Sequence, residues 1–162
     1  MADRSFLDWP FFDDRHGDFA ATLDAWADRR EAIILHGDHD LDGDGRTILK
    51  ALADSGWLNN AIPDTDGKRD VRILCLTHET LAHRSGLADF VFAMQGLGSG
   101  PISLFGTDEQ KARRLLGVAT GETIAAFALP EPDAGSAALS TTARRDGDGW
   151  VLDGTRTFIS SG

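Results

Sequence analysis

Near Gly121 the spacing of apolar residues changes, and that change limits the chain to folds in which helices come first and strands follow. Upstream, Phe19, Leu23 and Trp26 recur at helical spacing, as do Ile48, Leu49 and Leu52 ahead of the stop signal Ser55-Gly56. Val71, Leu74, Cys75, His78, Leu81 and Ala82 form another stripe, and Leu87, Phe90, Val91, Met94 and Leu97 a fourth. Thr107-Asp108-Glu109-Gln110 reads as a capping box, with a helix running on through Leu115-Leu116. Downstream, Ile124 to Leu129 is a short apolar run that reads as a strand. Ser140 to Arg145 and Trp150 to Leu152 flank the hairpin turn Asp146-Gly147-Asp148-Gly149, and Asp153-Gly154 turns the chain again before Arg156 to Ile159. The fold class expected is α+β: an all-helical domain over 1–121, then the first antiparallel strands of a second, incomplete domain over 122–162.

A chain of 162 residues can build one domain with a real core, or one domain and the start of another. With 26 acidic against 16 basic residues, its net charge of −10 repels phosphate backbones, so nucleic acid is not an expected partner. The single Cys75 allows no internal disulfide and is expected to be a small buried residue. No stretch has the pattern of a signal peptide and none approaches the ~18 apolar residues of a membrane span, so a cytoplasmic location is expected.

Three constellations invite a ligand and are set aside. Asp40-Leu41-Asp42-Gly43-Asp44-Gly45 opens like a calcium loop, but its twelfth position, where a bidentate Glu is needed, is Ala51; a solvated acidic loop before a helix at Thr47 is expected instead. Gly96-Leu97-Gly98-Ser99-Gly100 has the wrong glycine spacing for a dinucleotide fingerprint and follows a helical stripe. His36, His39, His78 and His83 have no Cys or carboxylate at metal-ligand spacing.

Two blocks carry the chemistry. Phe127-Ala128-Leu129-Pro130-Glu131-Pro132-Asp133-Ala134-Gly135-Ser136 is an apolar strand running into a turn rich in proline, glycine and serine, and Thr157-Phe158-Ile159-Ser160-Ser161-Gly162 is a strand edge ending in hydroxyls. Together they resemble the acyl-CoA dehydrogenases, whose usual forms are F-x-x-T-E-P-x-A-G-S-D and K-x-(W/F)-I-(T/S)-N-G. Phe105-Gly106-Thr107-Asp108-Glu109-Gln110-Lys111, after the small-residue run Gly98-Ser99-Gly100, is similar to the family's F-G-(T/S)-x-E-Q-K, and Asp54-Ser55-Gly56-Trp57-Leu58 with Ile62-Pro63 to an earlier family segment. The chain departs from the pattern at Asp64-Thr65-Asp66-Gly67-Lys68, where the family has an acidic residue and Tyr-Gly-Gly; at Pro130, where it has Thr or Ser; and at Ala137, where it has Asp.

The resemblance implies a helical N-terminal domain, a central β-barrel that this chain enters but does not complete, and FAD lying between the barrel and C-terminal helices. By position, Phe127, Leu129, Pro130, Gly135 and Ser136 correspond to the first flavin-contacting block and Phe158, Ile159 and Ser160 to the second. Ser160 would sit near the reactive flavin nitrogen; Ser136 would reach the cofactor pyrophosphate or the CoA arm of the substrate. The reaction implied is oxidation of an acyl-CoA to the 2,3-enoyl-CoA, with electrons passed to an electron-transfer flavoprotein and the whole enzyme a homo-oligomer. The carboxylate base of that reaction has no counterpart here, and Glu131 reads as turn structure. Alternatives are a non-catalytic helical interaction module or degenerate partner subunit and, within the same fold, an acyl-CoA oxidase or flavin monooxygenase relative.

Overall fold

The computed structural model describes residues 3–34, 40–62, 68–132 and 139–161. Its helices are α1 (Asp14–Arg29), α2 (Glu31–Ile34), α3 (Leu41–Asp54), α4 (Val71–Arg84), α5 (Gly86–Phe105) and α6 (Asp108–Ala119), with 3₁₀ turns at Ser5–Asp8 and Trp57–Ala61; one hairpin follows, β1 (Thr142–Asp146) and β2 (Gly149–Asp153). The chain divides into two compact units, Met1–Ala125 and Ala126–Gly162.

The helices begin where side chains satisfy the otherwise orphaned first-turn N–H groups. Asp70 accepts from Arg72 N at 3.0 Å ahead of α4, and Ser85 Oγ from Ala88 N at 3.3 Å ahead of α5. Before α6 the expected capping box is complete, with Thr107 Oγ1 accepting from Gln110 N at 3.2 Å and Gln110 Oε1 from Thr107 N at 2.8 Å. The acidic run at 40–45 is not a loop. Asp40 Oδ1 accepts from Gly43 N at 3.0 Å and caps α3, so Asp42 and Asp44 stand in its first turn at the positive end of the helix dipole.

The first two sequence stripes form the core of the helical unit: Leu23, Trp26, Ile48, Leu49 and Leu52 are buried with Ala27, Ile34, Leu58, Ala61, Leu81, Ala88 and Phe92. The next two stripes hold in part, with Leu81 and Met94 buried and Leu74, Leu87 and Val91 packed against the core, and are corrected at their other positions. On α4, Val71, Cys75 and Ala82 are exposed, and the buried positions are Leu76, Thr77, Thr80 and Leu81. The helix packs against both α1 and α5, so its buried face is turned from the apolar stripe, and its threonines find partners. Thr77 Oγ1 donates to Ile73 O at 2.8 Å, and Thr80 Oγ1 accepts from Arg4 Nη2 at 2.9 Å. On α5, Phe90 and Leu97 are exposed while Ala88, Phe92, Gln95, Ser99 and Ser103 face inward. A helix apolar all round leaves its facing undecided by period; close packing decides it. A Cβ at Gly96 would stand 3.2 Å from Ala61 O, and the serine hydroxyls turn back to their own helix, Ser99 to Gln95 O at 2.7 Å and Ser103 to Ser99 O at 3.1 Å. The glycine run at 96–100 is therefore mid-helix.

After α6 the chain turns through Gly121 at φ +72°, where a Cβ would lie 2.9 Å from Ala53 Cβ; only glycine combines that backbone with that approach. Gln95 Oε1 then accepts from Ala125 N at 3.1 Å. Residues 124–129 form no strand among the described residues, which corrects the strand expected there. The hairpin forms as the Asp-Gly signal requires, with Thr142 opposite Asp153 and Asp146 opposite Gly149, and Gly147 at φ +60° in its two-residue turn.

Candidate functional site

In the second unit one buried carboxylate organises the backbone. Glu131 is 5% exposed. Its Oε2 accepts from Ser140 N at 2.6 Å and Ser140 Oγ at 2.5 Å, and its Oε1 accepts from Thr141 N at 2.9 Å. Arg156 Nη1 lies 3.2 Å from Oε1 and donates to Leu129 O at 2.5 Å. Hydrogen bonds from Ser140 above all, and then from Thr141, favour the ionised form and hold the Glu131 carboxyl down at about 2. Gly154 stands so close to Thr141 that a Cβ would meet its Oγ1 at 2.2 Å, so the clamp also depends on a missing side chain.

These bonds bring the two sequence blocks together. Thr157 N donates to Pro130 O at 3.1 Å, and Arg156 binds the carbonyl one residue earlier, so 129–131 and 156–157 run side by side. Phe127, Leu129 and Pro130 are half-buried, as are Ile159 and Ser160. The Ser160 hydroxyl has no partner among the described residues. Phe158 is 96% exposed and sits at φ +56°, with Ser161 at φ +61°; the left-handed backbone breaks the strand expected over 156–159 and turns the phenyl ring outward. Gly135 and Ser136 lie outside the described residues.

The clamp was only partly visible in the sequence. Glu131 was read as turn structure, and the carboxylate followed nine residues later by Ser140-Thr141 is a local signal for it; Arg156, 25 residues away, is not. In the helical unit the buried ring of His16 was missed as well. The Asp13 N–H donates to its Nδ1 at 3.1 Å, and its Nε2 lies 3.1 Å from Asp70 Oδ2. Asp70 also receives Arg72 Nε at 2.9 Å and the Arg15 guanidinium; the bonds from Arg72 above all hold its carboxyl well below the usual carboxylate range. His78, placed by the sequence on an apolar stripe, has Nδ1 2.6 Å from Asp89 Oδ1 on the next helix. Among the described residues no three His, Cys, Asp or Glu side chains gather as metal ligands, and no helix is long and apolar enough to cross a membrane.

A model of the acyl-CoA dehydrogenase N-terminal domain matches residues 13–122. The chain is 38% identical over 120 residues to the 3-(aryl)acrylate reductase of Clostridium sporogenes, covering 71% of this chain and 32% of that protein. It is 42% identical over 109 residues to the acyl-CoA dehydrogenase FadE12 of Mycobacterium tuberculosis, covering 65% of this chain and 28% of the relative. Among solved structures, the FAD-complexed acyl-CoA dehydrogenase of Bacillus anthracis superposes with a TM-score of 0.72 at 31% identity, over 93% of this chain and 27% of that one. The chain thus belongs to the acyl-CoA dehydrogenase family, and it spans about a third of the length of the curated relatives it matches.

Proposed function

We propose that this chain supplies the helical N-terminal domain, residues 1–121, and the first strands of the β-domain, residues 122–162, of an FAD-dependent enzyme that oxidises an acyl-CoA thioester to the 2,3-enoyl-CoA. The observation that carries the reading is the junction of the two blocks through Thr157, Pro130 and Arg156. The half-buried apolar side chains of the two blocks and the unpartnered Ser160 hydroxyl suit the edge of a flavin. When bound, FAD supplies the hydride acceptor. Around it, Phe127, Leu129 and Ile159 would pack the ring and Ser160 would donate a hydrogen bond to it, stabilising the electron-rich reduced form. Pro130 has no N–H, and its carbonyl is committed to Thr157, so its part is limited to packing. Exposed Phe158 would extend the same surface, and Gly135 and Ser136 would reach the pyrophosphate or the CoA arm. None of these residues is the base that removes the α-proton; Glu131 is engaged by Ser140, Thr141 and Arg156.

An electron-transfer flavoprotein is the electron acceptor in this reading. It is supported by 38% identity over 120 residues to the protein named caffeyl-CoA reductase-Etf complex subunit CarC of Acetobacterium woodii. A homo-oligomer in the cytoplasm completes it. The test is acyl-CoA-dependent dye reduction and FAD retention by the product of the complete reading frame that encodes this chain. A flavin-bound, active wild type with Ser160→Ala lowering kcat by a few-fold to tenfold, as one hydrogen bond is worth, is the expected result. A protein that retains no FAD overturns the reading.

A further inference from the structure

The corner between α1 and α2 and the facing side of α3 form an open hollow of about 430 Å³ at the surface of the helical unit. Exposed Arg30 lines it at the corner, exposed Arg46 and Lys50 line it from α3 together with the carboxylate of Asp54, and Ile33 and Ala51 give it apolar surface. Arg46 and Lys50 stand four residues apart on one helix, a spacing at which like charges repel. Lys50 is neutralised locally, its Nζ donating to both carboxylate oxygens of Asp54 at 2.8 Å. Arg30 and Arg46 have no carboxylate partner among the described residues.

Carboxylates outnumber cationic side chains by 26 to 16 over the whole chain. Arg4, Arg15, Arg72, Arg84 and Arg156 stand in ion pairs, and among the arginines that do not, Arg30 and Arg46 share the lining of one hollow. Two unpaired guanidiniums at one hollow of so acidic a chain leave a local charge near +2, which a single carboxylate ligand would only halve. A phosphate group can carry both balancing charges, and its oxygens match the guanidinium fork. We propose that this hollow binds a phosphate-type oxyanion held between Arg30 and Arg46. The apolar surface of Ile33 and Ala51 leaves room for the carbon of a phosphomonoester beside the group. The site is separate from the residues assigned to the flavin and stands whether or not that assignment does.

The test follows the arginine Nε–H resonances of the purified chain during titration with inorganic phosphate, phenyl phosphate and, as a monoanion, acetate, at constant ionic strength. Saturable shifts of Arg30 and Arg46 with either phosphate, and at least about tenfold weaker binding of acetate, are expected. Equal affinity for the two phosphates identifies free phosphate as the ligand; tighter phenyl phosphate identifies a monoester. Arg30→Gln and Arg46→Gln should each weaken binding about tenfold or more, the worth of one charge-assisted hydrogen bond. Arg113→Gln, which removes the same single charge from an exposed position on α6, should not weaken it. Shifts that fail to saturate, or an affinity that follows net charge in all variants alike, would overturn the proposal.

Discussion

The two units hold themselves together by different means. In the helical unit Leu23, Ile48, Leu52, Leu58, Leu81 and Phe92 are completely buried, and the Thr77 and Ser99 hydroxyls in the interior each donate to a carbonyl of their own helix. In the β unit Trp150 and Leu152 are 66% and 73% exposed, and the buried centre is a carboxylate. The helical unit rests on non-directional apolar burial spread over many residues. The β unit rests on a few directional bonds that converge on Glu131. The first arrangement should tolerate loss of a polar contact and the second should not.

The comparison breaks most visibly in the helical core. Phe92→Ala should cost about 3–5 kcal/mol, the usual loss for a buried phenyl group, read as an earlier helical transition in urea followed by circular dichroism. A loss near 1 kcal/mol would mean that the core is far looser than its burial implies.

Glu131→Gln is the matching experiment in the β unit. It should leave the helical transition in place and speed proteolysis between residues 131 and 141 by about tenfold, since local opening governs cleavage. Acid should do the same without a mutation. Because the Glu131 carboxyl titrates at about 2 in the folded chain against an ordinary 4.5, its contribution is complete above the ordinary value and fades as pH falls from there toward 2. A protection factor at the Ser140 and Thr141 amides that falls as pH drops through that window in wild type, and is low and flat in Glu131→Gln, is the expected signature; protection unchanged by either treatment would remove the clamp.

Two smaller effects sharpen the contrast within the helical unit. Gly121→Ala must force a side chain into a left-handed backbone 2.9 Å from Ala53, at a cost of about 1–2 kcal/mol. Thr107→Ala removes one side of the α6 capping box and should cost about 1 kcal/mol, with Thr107→Ser restoring most of it. Equal effects of Thr107→Ala and Phe92→Ala in the same unfolding experiment would contradict a core sustained by apolar burial.

Wherever one short stretch contains both halves of an interaction, the sequence alone determined the outcome. The α6 cap lies within four residues, the Asp146–Gly149 turn sets its own hairpin, and the stripes on α1 and α3 each have a single apolar face that can point only inward. Tertiary structure decided what depends on partners distant in sequence. The facing of α4 and α5 followed from which neighbours approach closely, because α5 buries Gln95, Ser99 and Ser103 while Phe90 and Leu97 stay exposed, and α4 meets two helices. His78 found Asp89, and His16 found Asp70, across helix boundaries that periodicity does not see. At the candidate site the two blocks were legible as motifs, but their junction through Arg156 and Thr157 required the chain to return after the hairpin. Period and propensity are properties of neighbours along the chain, whereas burial and ion pairing belong to neighbours in space.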